Sequence, residues 1–242
     1  MSDKGSRLLS GRSGLLLAGA VGLVVGGGAV VLAQGGFDDS RTEGIVRDYI
    51  LENPEIIPEA MERLQQREAA AAIAPRRAQL ETPYASAWAG AADADVVLVE
   101  FFDYACSFCR ASNPVVERLL REDPRLKVVW RELPVLGPAS QEAAFVSLAA
   151  ADQGRFRQFH DALFALGPPS PETVAQAQRA VGVQAAPSSD GHRQELQRNM
   201  ELANLLRASG TPTFVVGNQV FHGAVGYERL KEAIEEARAG RS

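Results

Sequence analysis

Residues 14–33 form the longest uninterrupted apolar stretch of the chain. All twenty are uncharged and small or apolar, with basic residues before them and an acidic pair after them. This length and charge asymmetry are typical of a segment that directs a chain to a membrane with its basic side inside. We expect residues 1–36 to be a signal sequence or a membrane anchor. Both outcomes stay open, because the stretch can span a bilayer and residues 31–34 fit a small-residue cleavage site.

Two amphipathic helices are predicted next, over residues 40–65. Apolar residues recur there at helical spacing: Ile45, Val46, Tyr49, Ile50, Ile57, Ala60, Met61 and Leu64. A capping box from Ser40 to Glu43 predicts that the first helix begins near Arg41. Two such helices hold too few apolar residues for a core, so their apolar face packs on the main domain or on copies of itself. We favour a homo-oligomer through residues 40–65.

Residues 66–83 are Ala-rich and charged, and they contain two prolines. This composition predicts a helical or semi-flexible spacer. Residues 37–83 together are therefore expected to be a helical stalk and linker in front of the main domain.

The main domain is predicted over residues 84–242 and belongs to the α/β class. Residues 96–102 are a continuous apolar run, which is typical of a central strand buried on both faces. Apolar residues at helical spacing predict a helix over 107–122, and alternating residues predict a second strand over 126–133. The pattern is a strand, helix, strand unit, whose crossover is expected to be right-handed.

A long helical stretch separates this unit from the end of the chain. Residues 140–209 have helical patterns throughout and predict an insertion at about 138–209. Residues 213–216 and 220–222 flank Gly217-Asn218, a pair that favours a hairpin turn. A final amphipathic helix follows.

Composition and net charge limit the classes of partner and cofactor that we expect. The chain has 242 residues, of which 46% are hydrophobic and 23% charged, as in an ordinary globular protein. The formal net charge of −5 argues against a nucleic-acid partner. The three histidines show no ligand-like spacing, so we expect neither a metal nor an organic cofactor.

The two cysteines, Cys106 and Cys109, are the candidate reactive groups. At positions i and i+3 of a helix their Cα atoms lie about 5 to 6 Å apart, which a disulfide accepts. Cys106 falls at the predicted helix start, where free amides and the helix dipole stabilise a thiolate. We expect Cys106 to be the exposed nucleophile and Cys109 the resolving partner. The alternatives are a purely structural disulfide and a zinc half-site shared by two chains.

Glu100 is the second candidate, because it interrupts the apolar run six positions before Cys106. A carboxylate on an interior strand is costly to bury ionised, so its pKa is expected to be raised. Such a group can accept and return the proton of Cys109. The alternative is a glutamate at a strand end that reaches water or an arginine.

Three ordered motifs resemble the DsbA-type branch of the thioredoxin superfamily: VEFFDYACSFCR, AAADQGRFRQFHDALF and GTPTFVVGNQVFHGAVGYERL. The segment ILENPEIIPEAMERLQQRE is similar to the amino-terminal portion of ScsC-like proteins, which associate through it. The resemblance implies a thioredoxin fold with an inserted helical subdomain. It also implies that Cys106 and Cys109 are the redox pair and Glu100 the buried acid beneath it. Thr211 and Pro212 match the loop whose cis-proline faces the disulfide and holds an extended client peptide.

The expected function is that of an exported thiol-disulfide oxidoreductase that oxidises or isomerises disulfides in cysteine-containing client proteins. The expected location is the periplasm, either membrane-anchored or secreted across the inner membrane. A membrane redox partner of the DsbB type or of the DsbD/ScsB type is implied. The alternatives are a non-catalytic periplasmic chaperone, a copper-sequestering thiol protein on the same fold, and an electron relay with one protein partner. The direction of the reaction depends on the reduction potential, which two cysteines do not reveal.

Overall fold

A computed structural model of the protein describes residues 39–184 and 189–240. The predicted membrane-targeting segment, residues 1–36, lies outside them. Among the helices of the described ranges, none has the length and apolar character needed to cross a bilayer. The chain divides into two compact units, residues 1–61 and 62–242.

The described part of the first unit is helical. Helix α1 spans Asp39–Glu52, and helix α2 spans Ile56–Ile73 and begins in this unit. Helix α1 starts two residues before the predicted start, so Ser40 lies inside the helix and not at its N-cap. Asn53 separates the helices, and its side-chain amide donates to the carbonyl of Tyr49 at 2.9 Å. Six large apolar side chains are exposed here: Ile45, Val46, Tyr49, Leu51, Ile57 and Met61.

The segment predicted as a spacer is packed on the main domain. Helix α2 is followed by a 3-10 turn, Ala74–Arg76, and by a short helix α3, Arg77–Glu81. Ile73 and Leu80 are fully buried in this segment. The buried Arg131 guanidinium donates to the carbonyl oxygens of Leu80 at 3.1 Å and Thr82 at 2.7 Å. The folded unit thus begins before the predicted boundary at residue 84, because these side chains cover one face of the sheet.

Five strands form one mixed sheet in the order β1-β3-β2-β4-β5. Their bounds are Trp88–Gly90 for β1, Val96–Phe102 for β2, Leu126–Glu132 for β3, Thr213–Val216 for β4 and Gln219–His222 for β5. Strands β2 and β3 are parallel, and the other neighbouring pairs are antiparallel. Strand β1 was not predicted, since three residues show no readable alternation. Gly90 is required there, because its φ is +96° and an added Cβ would lie 2.1 Å from the carbonyl oxygen of Leu126.

Helix α4, Ser107–Glu122, connects β2 to β3. Four helices lie between β3 and β4: α5, Pro138–Asp152; α6, Phe156–Leu166; α7, Pro171–Ala180; and α8, Asp190–Leu205. Helix α9, Tyr227–Ala239, follows the hairpin. The predicted α/β fold with a helical insertion is confirmed.

Strand β2 runs through the middle of the core. Every one of its side chains is buried, and successive side chains enter opposite layers. Val97, Val99 and Phe101 join the layer that contains Ile73 and Leu80. Leu98 and Phe102 join the layer that contains the two cysteines, α4 and α9. Glu100 lies between Leu98 and Phe102 in this alternation, which directs it towards the cysteine layer.

Candidate functional site

The turn between β2 and α4 places Cys106 at the N-cap of α4. Its backbone is extended, with φ −78° and ψ 115°, and its amide donates to the carbonyl of Asp103 at 3.0 Å. The sulfur of Cys106 accepts a hydrogen bond from the amide of Cys109 at 3.4 Å. A helix N-terminus carries unpaired amides and partial positive charge, and the amide of Cys109 is one of these donors. Both cysteines are free thiols in the structure.

Cys106 is less accessible than the sequence predicts. Its exposed fraction is 6%, and Cys109 is fully buried, so the prediction of an openly exposed nucleophile is wrong. The Cys106 thiol donates to the carbonyl oxygen of Thr211 at 3.1 Å, and this loop covers one side of the sulfur. Of the two cysteines, Cys106 alone retains exposed surface. Phe108 between them is 64% exposed.

The loop before β4 brings Thr211 and Pro212 to the cysteines across 105 positions of sequence. The peptide bond between Thr211 and Pro212 is cis. The Thr213 hydroxyl donates to the carbonyl of Gly210 at 2.9 Å, and the Pro212 carbonyl accepts from the amide of Gly223 at 2.8 Å. The carbonyl of Thr211 is thereby fixed next to the Cys106 sulfur.

Glu100 is fully buried below the pair. Its Oε2 accepts a hydrogen bond from the indole nitrogen of Trp130 at 3.0 Å, while Oε1 has no hydrogen-bond partner among the described residues. Burial raises the pKa of Glu100 to about 8, and the bond from Trp130 opposes this rise. The alternative that this glutamate reaches water or an arginine does not hold.

Glu100 and Cys109 influence each other's ionisation. Burial raises the pKa of the Cys109 thiol, and the negative charge of Glu100 raises it further. An amide hydrogen bond from Asp103 opposes the rise in the pKa of Cys109. Two anions are therefore unfavourable at this buried site: Cys109 stays a thiol, and Glu100 keeps its proton up to about pH 8.

Sequence reasoning missed two residues of the site. Trp130 lies opposite Glu100 in the parallel pairing of β2 with β3, which a proposed register could have revealed. Asp103 accepts the Cys106 amide with its backbone carbonyl, and no periodic signal marks it. No three side chains of the His, Cys, Asp or Glu type cluster as metal ligands in the ranges that the structure describes.

Comparison with known proteins decides the family. A family model described as a DSBA-like thioredoxin domain matches residues 97–235, more than half of the chain. This chain belongs to the DsbA-like thioredoxin family. A second model, described as the N-terminal domain of the copper resistance protein ScsC, matches residues 40–71. The predicted resemblance to DsbA-type and ScsC-like proteins is confirmed, and with it a thioredoxin-like fold.

Solved structures agree with this assignment. A linker-deletion mutant of Proteus mirabilis ScsC is 28% identical, with a TM-score of 0.69 over 84% of this chain and 96% of that chain. A periplasmic thioredoxin-like protein from Salmonella enterica serovar Typhimurium is 27% identical, with a TM-score of 0.64 over 69% of this chain and 97% of that chain.

A much longer curated relative also matches. The Na(+)/H(+) antiporter NhaA 1 of Salinispora arenicola is 34% identical over 170 residues, which is 62% of this chain and 24% of the antiporter. The chain thus spans about a quarter of the length of that relative.

Proposed function

We propose that this DsbA-like protein is an exported enzyme that oxidises or isomerises disulfides in client proteins through Cys106 and Cys109. One observation carries the proposal: the Cys106 thiol, at a helix N-cap, is hydrogen-bonded to the carbonyl of Thr211 beside a cis-proline. The geometry combines a stabilised sulfur with backbone that an extended peptide can approach. The proposed location is the periplasm, as the name of the similar Salmonella protein supports.

The oxidising cycle starts from a Cys106–Cys109 disulfide. A client thiolate attacks the Cys106 sulfur, the bond to Cys109 breaks, and Cys109 leaves as a thiolate that takes a proton from neutral Glu100. A second client thiolate then attacks the client sulfur of the mixed disulfide and releases the Cys106 thiolate. Two electrons pass from the client to the pair. A membrane redox partner of the DsbB or DsbD/ScsB type would accept them and restore the disulfide.

Isomerisation uses the reduced pair. The Cys106 thiolate attacks a client disulfide, a different client thiolate then displaces it, and no net electrons are transferred. If the mixed disulfide persists, Cys109 resolves it after passing its proton to ionised Glu100. The raised pKa of Glu100 supports both directions, because the group holds or accepts a proton close to neutral pH.

Thr211 and Pro212 are proposed to hold the client. The Thr211 carbonyl accepts from the Cys106 thiol in the free protein, and it is positioned to accept from a client amide when a peptide strand docks. Such strand addition brings a client sulfur close to Cys106 without selecting one sequence.

The test uses the full chain and its cysteine variants. Cys106→Ala should abolish the oxidation of a reduced dithiol protein and the refolding of a scrambled one, whereas Ser107→Ala should retain both. Cys109→Ala should accumulate mixed disulfides with many client proteins. A Cys106→Ala variant with undiminished refolding activity would instead support a chaperone. A single adduct with Cys109→Ala would support an electron relay.

A copper-sequestering thiol protein is the second candidate, because the family model that matches residues 40–71 is described as a copper resistance protein. Two thiolates suit a soft monovalent ion. Competition with a Cu(I) chelator separates the two: tight binding of Cu(I) without thiol turnover favours sequestration, and turnover with weak binding favours the oxidoreductase.

We also propose that residues 40–65 form a homo-oligomer. The exposed apolar side chains of α1 and α2 support this, as does the match of this segment to the ScsC N-terminal domain. Several active sites facing one misfolded client would raise the effective concentration of thiols around it and favour isomerisation.

A further inference from the structure

Asp103 holds two segments of the chain together through one buried carboxylate. Its exposed fraction is 1%. Oδ1 accepts a hydrogen bond from the amide of Ala105 at 2.8 Å. Oδ2 accepts two more, from the amides of Val135 and Leu136, each at 2.9 Å. Hydrogen bonds to a carboxylate are about twice as strong as those to a neutral acceptor, so Asp103 holds Ala105 firmly to Val135 and Leu136.

The backbone of Asp103 faces the redox pair. Its carbonyl accepts from the Cys106 amide at 3.0 Å. The same residue therefore contacts Cys106 through its main chain and the amides of Val135 and Leu136 through its side chain.

Leu133, at the start of residues 133–137, is buried and donates its amide to the carbonyl of Phe102 at 2.8 Å, and the amide of Val135 also donates to the carbonyl of Leu133 at 2.9 Å. Pro134 supplies no amide donor, and Gly137 has a φ of +120° just before α5. The side chains of Val135 and Leu136 are 45% and 54% exposed, although both are large and apolar. They lie on the segment that Asp103 attaches to the turn before Cys106, while Phe108 is exposed just after it. A client chain at Cys106 would meet apolar side chains from both segments.

We propose that Asp103 is a positioning residue that fixes residues 133–137 against the turn before Cys106, so that Val135 and Leu136 contact client residues flanking the reacting cysteine. This rests on the proposed function. The role concerns client binding and not the intrinsic reactivity of the thiol. A substitution of Asp103 should therefore weaken the binding of a client peptide but not the reaction with a small dithiol, since a small dithiol does not reach Val135 or Leu136.

Asp103→Asn in the full chain tests this. Asparagine keeps one oxygen for the amide of Ala105 but turns an NH2 group towards the amides of Val135 and Leu136, so these two residues lose their hydrogen bonds to residue 103. The KM for a cysteine peptide with apolar flanking residues should rise at least about fivefold, as expected for the loss of one hydrogen bond. Its kcat and the rate with dithiothreitol should stay within about twofold, a difference too small to count as a lost bond.

Asp123→Asn is the matched control. Asp123 accepts from the amide of Arg125 at 3.0 Å in the same kind of turn, at the other end of α4. This variant should leave the KM for the peptide unchanged. An unchanged KM in Asp103→Asn, or an equal fall in its rates with peptide and dithiothreitol, would overturn the positioning role.

Hydrogen exchange on the wild-type chain provides a second test that does not require the variant to fold. The amides of Val135 and Leu136 should exchange much more slowly than those of exposed loops. Exchange as fast as in exposed loops would show that Asp103 does not hold these two residues. If the wild type shows no thiol turnover at all, the proposed function fails, while the exchange data still decide whether Asp103 holds the segment.

Discussion

The indole nitrogen of Trp130 donates a 3.0 Å hydrogen bond to Oε2 of Glu100, which joins the buried acid next to the cysteines to a fluorescent side chain. The two residues are paired directly in the parallel register of β2 and β3. Burial raises the pKa of Glu100 to about 8, so the charge on the carboxyl group that accepts the indole hydrogen bond changes close to physiological pH.

The fluorescence of Trp130 should therefore titrate with Glu100. The chain has two tryptophans, and a Trp88→Phe background leaves Trp130 as the only one. In the reduced protein we expect a change in emission with a midpoint near pH 8, as the carboxyl loses its proton. Glu100→Gln in the same background should abolish the transition. A transition that persists in the glutamine variant would assign the signal to another group.

Glu100 should also make the protein less stable at alkaline pH. Its pKa rises from 4.5 in the unfolded chain to about 8 in the fold, so the folded state binds more protons between these values. The free energy of unfolding falls as pH rises through this window, by at most about 1.4 kcal/mol per pH unit from this group. Glu100→Gln removes this contribution.

Chemical denaturation at pH 5 and pH 8 measures this effect. The stability of Glu100→Gln relative to the wild type should increase from the lower to the higher pH. Glu235→Gln on α9 replaces an exposed glutamate and should show no such trend. A constant difference between Glu100→Gln and the wild type at both pH values would contradict a raised pKa of Glu100.

Periodicity was sufficient for most of the fold. The apolar run of seven residues predicts a strand buried on both faces. The helix and strand that follow it predict a right-handed crossover. It failed for β1, which is too short to alternate, and for the packing of Ile73 and Leu80. Helical spacing shows which face is apolar but not which surface covers it.

The site was predictable only in part, because some of its residues stand out in the sequence and others do not. Cys106, Cys109 and Glu100 are unusual residue types at unusual positions, and Thr211 and Pro212 were carried over from a family resemblance. Their catalytic roles stay predictions. Trp130 and Asp103 act through register and loop contacts across about 30 residues of sequence. No spacing within one element reports such contacts.

The buried ion pair of Arg131 and Glu195 should be important for stability. Its N–O distance is 3.2 Å, and Arg131 also donates to Asn199 at 2.8 Å and to carbonyls near α3. Arg131→Met should lower the free energy of unfolding by about 3–5 kcal/mol, because Glu195 loses its buried partner. Arg193→Met, in an exposed pair with Asp190, should change it little, since water screens that pair. Equal losses in urea denaturation would contradict this account.

The exposed apolar side chains of α1 and α2 should determine the oligomeric state of the protein in solution. Burying each such side chain between copies contributes about 1.5–3 kcal/mol. Val46→Glu or Ile57→Glu should therefore weaken self-association at least about tenfold. Analytical ultracentrifugation of the full chain measures this, with Arg47→Gln as an exposed polar control on α1. A wild type that sediments as a monomer at high concentration would refute association through this surface.

The distance in sequence between Cys106 and Thr211 sets the order in which the parts of the proposed redox centre are synthesised. The ribosome makes the two thiols first, then the whole helical insertion, and only afterwards the loop that touches them, 105 positions later. A nascent or prematurely terminated chain therefore carries the sulfurs without the carbonyl that binds one of them. The proposed docking of a client peptide at this loop therefore starts only after residue 211 has been translated.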